Sequence, residues 1–479
     1  MEQTSSTSYP NVLIVDYLKK ARVAKPEMMM RAMELLNVGY QKMLTFQTPS
    51  GGFAWWNAQD TPQIWVTAYG LFQILDASRV TDVDPAVIQR AQNFLVGQQG
   101  KDGAWNVPGN THGEAVASFK DPAMALTGYI AWALAESKYA GAPLDKALVF
   151  LKQGAKKETN VYTLALVASA ILARDVKDQD GLDILARLDD MKKEEGERAY
   201  WTMDGNTLSY AHGGGAQVEV TALIAYAMIR SGQFAGTAQK AINQIIHAKS
   251  SGGHWGSTQA TILSLKALVA AMSGAPQKDT VKVGVSLNGQ RREVSIAPDQ
   301  SDVLQMVVFD DFPRGENALE VTSEGESSSM VQVVARHFAP WREVRDEEPK
   351  DAIEFKTEYD RAQLTKADLL GVNVTMKYNG KAPTYMVVVD LGIPAGFDPV
   401  TDAFEKLLAE KKIEKYNLTG RAIVLYFGAI KPADVVKFSY QLRPRYPVKI
   451  KTPESQAYEY YTPSNRAKTR PVDLEVLEK

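Results

Sequence analysis

Through the first 275 or so residues apolar positions recur with a helical period, and beyond them the period falls to two. Pro26 to Gln47 carries Met29, Met30, Met33, Leu36, Tyr40, Met43 and Leu44 at i, i+3, i+4, i+7 spacing, the stripe of a helix with one buried face. Asp84-Pro85 and Asp121-Pro122 read as helix starts. An aspartate side chain accepts from the free amides of a first turn, and proline there forfeits no hydrogen bond. Further helices are expected over Gln63–Ser78, Ala86–Gln99, Ala123–Ser137, Leu144–Gly154, Val161–Arg174, Val218–Arg230, Ala238–Lys249 and Thr258–Met272. With a first helix near Asn11–Lys20, that makes about eleven.

A unit recurs along this helical part. Gly51-Gly52-Phe53-Ala54-Trp55 precedes Val66-Thr67-Ala68-Tyr69, and Asp102-Gly103-Ala104-Trp105 precedes Ala125-Leu126-Thr127-Gly128-Tyr129. Val220-Thr221-Ala222-Leu223 recurs later, and Gly252-Gly253-His254-Trp255 precedes Ala260-Thr261-Ile262-Leu263. Each is a glycine-aromatic turn followed by a helix of Ala, Thr and Leu, small enough for close helix approach. Repeated helix pairs with this punctuation predict a closed α/α toroid with these helices on its inner ring.

After residue 275 the alternation is that of strands. Val281–Leu287, Asn288-Gly289 and Arg292–Ile296 form a hairpin pattern around a turn-favouring Asn-Gly. Ala318–Val321 and Met330–Ala335 add strands. A second β-rich block begins near Glu347, with its clearest strands at Val372–Met376, Tyr385–Leu391, Ala422–Phe427 and Val435–Leu442. Thr401–Lys412 interrupts it as a short amphipathic helix, with Phe404, Leu407 and Leu408 on one face. The expected organisation is therefore multidomain: an all-α toroid over 1–275, a β-domain part over 276–346, and a β-sandwich with one helix over 347–479.

Composition narrows the chemistry. Fifty-four basic against 56 acidic residues give a net charge of −2, so no global field selects nucleic acid or an anionic membrane. No apolar run reaches the roughly 18 residues that span a bilayer, and Met1–Pro10 lacks the basic and apolar regions of a signal peptide. Cysteine is absent, which excludes disulfides, zinc–thiolate sites and a cysteine nucleophile.

Met1-Glu2-Gln3, the polar stretch to Tyr9, and Pro10-Asn11 resemble the residues immediately after the thioester cysteine in the alpha-2-macroglobulin and complement family, whose motif is Gly-Cys-Xaa-Glu-Gln. Asn37-Val38-Gly39-Tyr40-Gln41, Ala125-Leu126-Thr127 and Gly252–Gln259 look like landmarks of its thioester domain, an α/α toroid. Residues 276–346 resemble the returning part of a CUB-type domain. Residues 347–479 resemble the last, receptor-binding-like macroglobulin domain, notably Phe438–Leu442 and Ala457–Tyr461. The resemblance implies a broad-spectrum protease inhibitor and not an enzyme. In the family an internal thioester between cysteine and glutamine acylates an attacking protease. A thiolate, with a parent pKa of about 8.5, is a far better leaving group than an amide nitrogen. In this sequence Gln3 would supply the acyl group and the cysteine would stand directly before Met1, so this chain cannot close the bond. It is expected to be a C-terminal fragment of a longer, bacterial, periplasmic protein whose missing part holds any inner-membrane anchor. Target proteases are the implied partners, with a cell-wall synthesis enzyme as a second. No cofactor and no nucleic-acid partner are expected.

The resemblance points to Gln3 as acyl donor, with Glu2 orienting the thioester loop or capping a helix. His112, in Asn110–Glu114, stands where family members with a transacylating histidine carry it. Tyr458, Tyr460 and Tyr461 lie where the last domain approaches the thioester, and aromatic cover would exclude water there. The same alternation of tyrosines fits an ordinary edge strand. His112, His212, His254 and Glu219 would suit zinc only if the toroid gathered them, and no HxxH spacing supports it. Two other functions fit parts of the pattern. Gln99–Trp105 matches the Gln-x-x-Asp-Gly-x-Trp repeat of triterpene cyclases, where it staples helix ends, and the β-blocks alone would suit a non-covalent periplasmic scaffold.

Overall fold

The computed structural model describes residues 1–21, 26–106, 119–250, 254–272, 279–300, 305–324, 331, 333–335, 352–380, 383–460 and 462–478. They form two compact units: Met1–Trp201 with Glu219–Ser251 and Thr261–Ala335, and Thr202–Val218 with Gly252–Ala260 and Arg336–Lys479.

Eleven helices precede residue 273 among the described residues: α1 (Glu2–Ala21), α2 (Pro26–Leu44), α3 (Ile64–Ala77), α4 (Pro85–Gly97), α5 (Pro122–Glu136), α6 (Ala142–Ala155), α7 (Val161–Arg174), α8 (Gln179–Asp190), α9 (Gly213–Ser231), α10 (Ala235–His247) and α11 (Thr258–Met272). The two Asp-Pro starts hold: Asp84 accepts from the Ala86 amide and Asp121 from the Met124 amide. Burial alternates along the chain. Every residue of α5 from Met124 to Glu136 is buried, and α3 and α7 are nearly as enclosed. By contrast α4 buries only Val87, Ala91 and Leu95, one line of its surface. Fully buried inner helices backed by amphipathic outer ones give the toroid. Small residues set the inner spacing: a Cβ at Gly128 would lie 3.1 Å from Cβ of Leu166 on α7.

The repeated glycine-aromatic turn has a repeated bond. The Phe53 amide donates to Thr67 Oγ1 (2.8 Å), that of Trp105 to Thr127 Oγ1 (2.9 Å) and that of Trp201 to Thr221 Oγ1 (3.3 Å). The turn glycines match too. Gly51 (φ 93°) and Gly103 (φ 89°) each press on the next outer helix, against the carbonyls of Arg90 and Lys146, at distances no side chain tolerates. Gln99 Nε2 reaches the carbonyls of Gly103 and Pro143, both at 2.8 Å, and Trp105 Nε1 that of Leu95 at 2.7 Å. The Gln-x-x-Asp-Gly-x-Trp motif is thus occupied in stapling helix ends.

The first helix departs from expectation: it begins at Glu2 rather than near Asn11 and runs through Pro10. It buries Ser5, Ser8, Tyr9, Val12, Leu13, Val15, Asp16 and Leu18, so serine fills positions that an apolar stripe would occupy. The close partner explains it, since a Cβ at Gly39 on α2 would fall 2.0 Å from Cβ of Ser8. Helix α8 and the short hairpin β1 (Lys193–Glu195) and β2 (Arg198–Tyr200) were not expected. Aspartates at both ends of α8 obscure its buried Ile184, Leu185 and Leu188.

β3 (Val281–Leu287) and β4 (Gln290–Ile296) make the expected hairpin, with Asn288 and Gly289 at φ 51° and 85° as a type I′ turn requires. β5 (Leu319–Glu324) pairs on the other side of β3 and is exposed at every residue. The strand expected at Met330–Ala335 is a correction. Its described residues join no ladder, and Val331, Val333 and Val334 are exposed. An alternating pattern becomes a strand only where a neighbour takes its amides.

The second unit holds β6 (Ile353–Tyr359), β7 (Gln363–Thr365), β8 (Leu370–Tyr378), β9 (Thr384–Gly392), β10 (Phe397–Val400), β11 (Lys415–Leu418), β12 (Ala422–Ile430), β13 (Val435–Pro444), β14 (Val448–Lys451), β15 (Gln456–Glu459), β16 (Thr462–Lys468) and β17 (Asp473–Leu477). Sheets ordered β10-β13-β8-β6 and β11-β12-β9-β15-β16 share one apolar core, and β14-β17-β7 adds a third. Helix α12 (Asp402–Ala409) buries Phe404 against Tyr416 and Tyr440.

Candidate functional site

Gln3 lies in the first turn of α1 with its side chain exposed, and its backbone carbonyl accepts from Ser6 Oγ (2.9 Å) and Thr7 Oγ1 (3.3 Å). Glu2 opens the same helix. Behind Gln3 the helix is tightly held. Met1 is buried and its nitrogen donates to the carbonyl of Trp55 (2.6 Å), the last residue of the first glycine-aromatic turn. Ser5 Oγ bonds the Tyr69 hydroxyl, and Gln73 Nε2 donates to Ser8 Oγ (2.8 Å). One turn further, the Tyr9 hydroxyl donates to Asp76 Oδ2 (2.6 Å), and Lys266 Nζ, from α11, lies 2.6 Å from the same oxygen. Lys266 is also ringed by Tyr9, Phe72 and Tyr226 at 5.3 to 5.9 Å. Arg79 pairs with the other Asp76 oxygen (3.0 Å). Burial alone would raise the Asp76 carboxyl, but the Lys266 and Arg79 charges hold it below the usual carboxylate range. The same carboxylate, against the cost of burial, raises the Lys266 ammonium. Helices α1, α3 and α11 thus meet at one buried, charge-matched point.

On the second unit, β15 carries Tyr458 half-buried, opposite Val388 of β9 and Arg466 of β16. Tyr460 comes just after the strand, its amide donating to the Met386 carbonyl (2.9 Å). β15 lies between β9 and β16, so the edge-strand explanation of these tyrosines does not apply. Tyr461 and His112 lie outside the described residues.

Between the tyrosines, Glu459 points inward and is fully buried. Its Oε2 lies 2.8 Å from Nε2 of His212 and accepts from Asn465 Nδ2 at 2.6 Å. Burial would raise this carboxyl, yet His212, Asn465 and the Tyr378 hydroxyl together hold it below its ordinary value. His212 moves the other way: burial would lower it, and Glu459 with a backbone hydrogen bond at Tyr210 raises it. Sequence reasoning missed this pair, whose members are 247 positions apart. A glutamate at an inward strand position was the signal that could have found its half. Of the metal set considered, His112 lies outside the described residues, Glu219 accepts from the Tyr162 hydroxyl (3.0 Å) and His254 Nδ1 from the Gly256 amide (3.1 Å). No group of three metal-binding side chains occurs among the described residues.

Residues 1–270 match the A-macroglobulin TED domain and residues 382–470 the A-macroglobulin receptor binding domain. Ovostatin of Gallus gallus is 23% identical over 96% of this chain and 32% of its own length. Thioester-containing protein 1 allele R1 of Anopheles gambiae is 22% identical over 99% of this chain and 35% of its own. The chain therefore spans about a third of these relatives. Among solved structures, native alpha-2-macroglobulin of Escherichia coli, from domain MG7 to the C-terminus, superposes with a TM-score of 0.63 at 16% identity, covering 99% of this chain and 72% of that one. The Salmonella alpha-2-macroglobulin mutant Y1175G gives 0.63 at 18% identity, over 99% of this chain and 30% of that one. With the TED match covering more than half its length and the receptor-binding match next in order, the chain belongs to the A-macroglobulin family.

Proposed function

We propose that this chain forms the thioester-domain and receptor-binding parts of a protease trap, with Gln3 as the acyl donor. The observation that carries the reading is Glu2-Gln3 at the head of a helix locked into a TED-type toroid, with the glutamine side chain exposed. In a longer form with cysteine directly before Met1, the thiol displaces the Gln3 amide nitrogen as ammonia and leaves a thioester. Capture then breaks the carbon–sulfur bond and joins the acyl carbon to a target amine or hydroxyl. The proton that the target loses goes to the thiolate. His112 is assigned the role of taking the acyl group first, which would favour hydroxyl targets. Tyr458, Tyr460 and Tyr461 are assigned as cover against water. Glu2 is assigned to the thioester loop, and residues 276–346 to the returning part of a CUB-type domain.

The trap reading makes the protein an inhibitor of proteases in the periplasm. Among the described residues no helix is long and apolar enough to cross a membrane. A toroid enzyme is less well supported: the motif that suggests it is structural here as in the cyclases, Gln99 and Trp105 bonding between helix ends and Asp102 within the turn, and it supplies no reacting group. The test is capture itself. A longer, cysteine-bearing form incubated with a protease should yield a denaturant-stable adduct whose peptide map joins the Gln3 side chain to the protease. Inhibition without any adduct at Gln3 would turn the reading to non-covalent trapping.

A further inference from the structure

A buried carboxylate on the inward face of a strand is costly unless it is paired, and an apolar residue of similar volume is commonly the more stable choice. Glu459 is such a group, and its cation comes from a segment that precedes it by 247 residues. That segment, Thr202–Val218, is continuous in sequence with the toroid but belongs to the β-rich unit. Its backbone is shaped for the purpose. Thr207 and Tyr210 close a turn (2.8 Å from the Thr207 amide to the Ala211 carbonyl, and 3.0 Å from the Tyr210 amide to the Thr207 carbonyl). Tyr210 takes a φ of 64°, which a bulky residue adopts only where its surroundings enforce it. His212 comes next but one, directly before the glycines that open α9.

We propose that His212 and Glu459 form an ionic latch that fastens the 202–218 segment to β15 and releases when the imidazole loses its proton. The carboxylate at Nε2 and the backbone hydrogen bond at Tyr210 both favour the protonated ring. Among the described residues the groups set around the pair are few. β9 sets Val387 opposite Glu459 and β16 sets Thr462 there, while Asn465 and Tyr378 supply neutral donors. Arg466 lies opposite Tyr458, on the other face, and β6 carries Glu354, Lys356 and Glu358 at exposed positions. Glu219 of α9 is engaged by Tyr162.

The two groups set opposite pH limits. The raised imidazole gives a contribution that is complete below its ordinary value of 6.5 and lost as pH rises through the folded value. The lowered carboxyl gives one that is complete above 4.5 and lost as pH falls through its folded value. The latch is therefore tightest in mildly acid solution and opens on the alkaline side. Because β15 also carries Tyr458 and leads into Tyr460, its state would set how firmly the acyl cover is held. That consequence rests on the trapping function proposed above, whereas the latch does not.

Two readouts on the chain as it stands test it. The imidazole of His212, one of only five histidines, is titrated by NMR in the wild type and in Glu459→Gln. Amide exchange of 202–218, corrected for intrinsic rates, is measured from about pH 6 to about pH 9. The expected result is a wild-type midpoint above the ordinary imidazole value and a loss of protection as pH rises through it. In Glu459→Gln the midpoint falls to the ordinary value or below, and protection is low throughout. His212→Lys, which keeps a cation across this range, should retain protection at the alkaline end and lose the pH dependence. Equal midpoints in wild type and Glu459→Gln, or pH-independent protection in the wild type with circular dichroism unchanged, would overturn the latch. Absence of an acyl adduct at Gln3 would leave it standing and sink only the trapping function.

Discussion

At the residue scale the most constrained point is Asp76, which holds the Tyr9 hydroxyl, the Lys266 ammonium and the Arg79 guanidinium at once. Asp76→Asn keeps the shape but leaves Lys266 buried without a counter-charge. Breaking a buried pair from one side costs about 3–5 kcal/mol, so we expect a large fall in the midpoint of denaturant unfolding monitored by tryptophan fluorescence. Replacing both partners, Asp76→Leu with Lys266→Met, should recover most of that loss; a double variant no better than the single one would show that the pair is not coupled. The lowered Asp76 carboxyl adds a pH signature. Its contribution is complete above the ordinary value of 3.8 and disappears as pH falls through the folded one. None of this was legible in the sequence, where Tyr9, Asp76 and Lys266 are unremarkable residues on three separate helices. Gln3 could be proposed from the sequence alone, because the motif that suggests it lies in adjacent positions. Glu459 and His212 were not, since a contact across 247 positions leaves no local pattern.

At the scale of elements, the ring is built by repeating one junction, and that junction was readable. Aromatic and threonine positions recur in the same order, and although 14, 22 and 20 residues separate them the same amide-to-hydroxyl bond forms each time. Thr127→Val removes the acceptor from the buried Trp105 amide and should cost about 1–3 kcal/mol, the penalty of an unpaired buried donor. Thr127→Ser should restore most of it. Two glycines separate turn from helix. Gly103→Ala forces a side chain onto the Lys146 carbonyl in a left-handed conformation and should lower the thermal midpoint, whereas Gly97→Ala, with open space around it, should be neutral or add about 0.5–1 kcal/mol. What the pattern concealed were elements whose buried line is polar or masked by charge. α1 buries Ser8 against Gly39 and Ser5 against the Tyr69 hydroxyl, and α8 hides three aliphatics among aspartates. The opposite failure occurred at Met330–Ala335, where alternation is present but the described residues join no ladder.

At the scale of the molecule, domain order was recoverable because the change of period near residue 275 is physical: helices bury stripes and strands bury alternate residues. The matches over 1–270 and 382–470 keep the same order. The functional proposal concentrates on one bond, and one measurement decides it. A form of the protein with cysteine directly before Met1 is treated with methylamine, and free thiol is titrated against time. The account predicts release of one thiol per chain, with methylamine joined to the Gln3 side chain by mass, and none from Gln3→Ala. A thiol that is free before methylamine is added, or released without modification of Gln3, would contradict it.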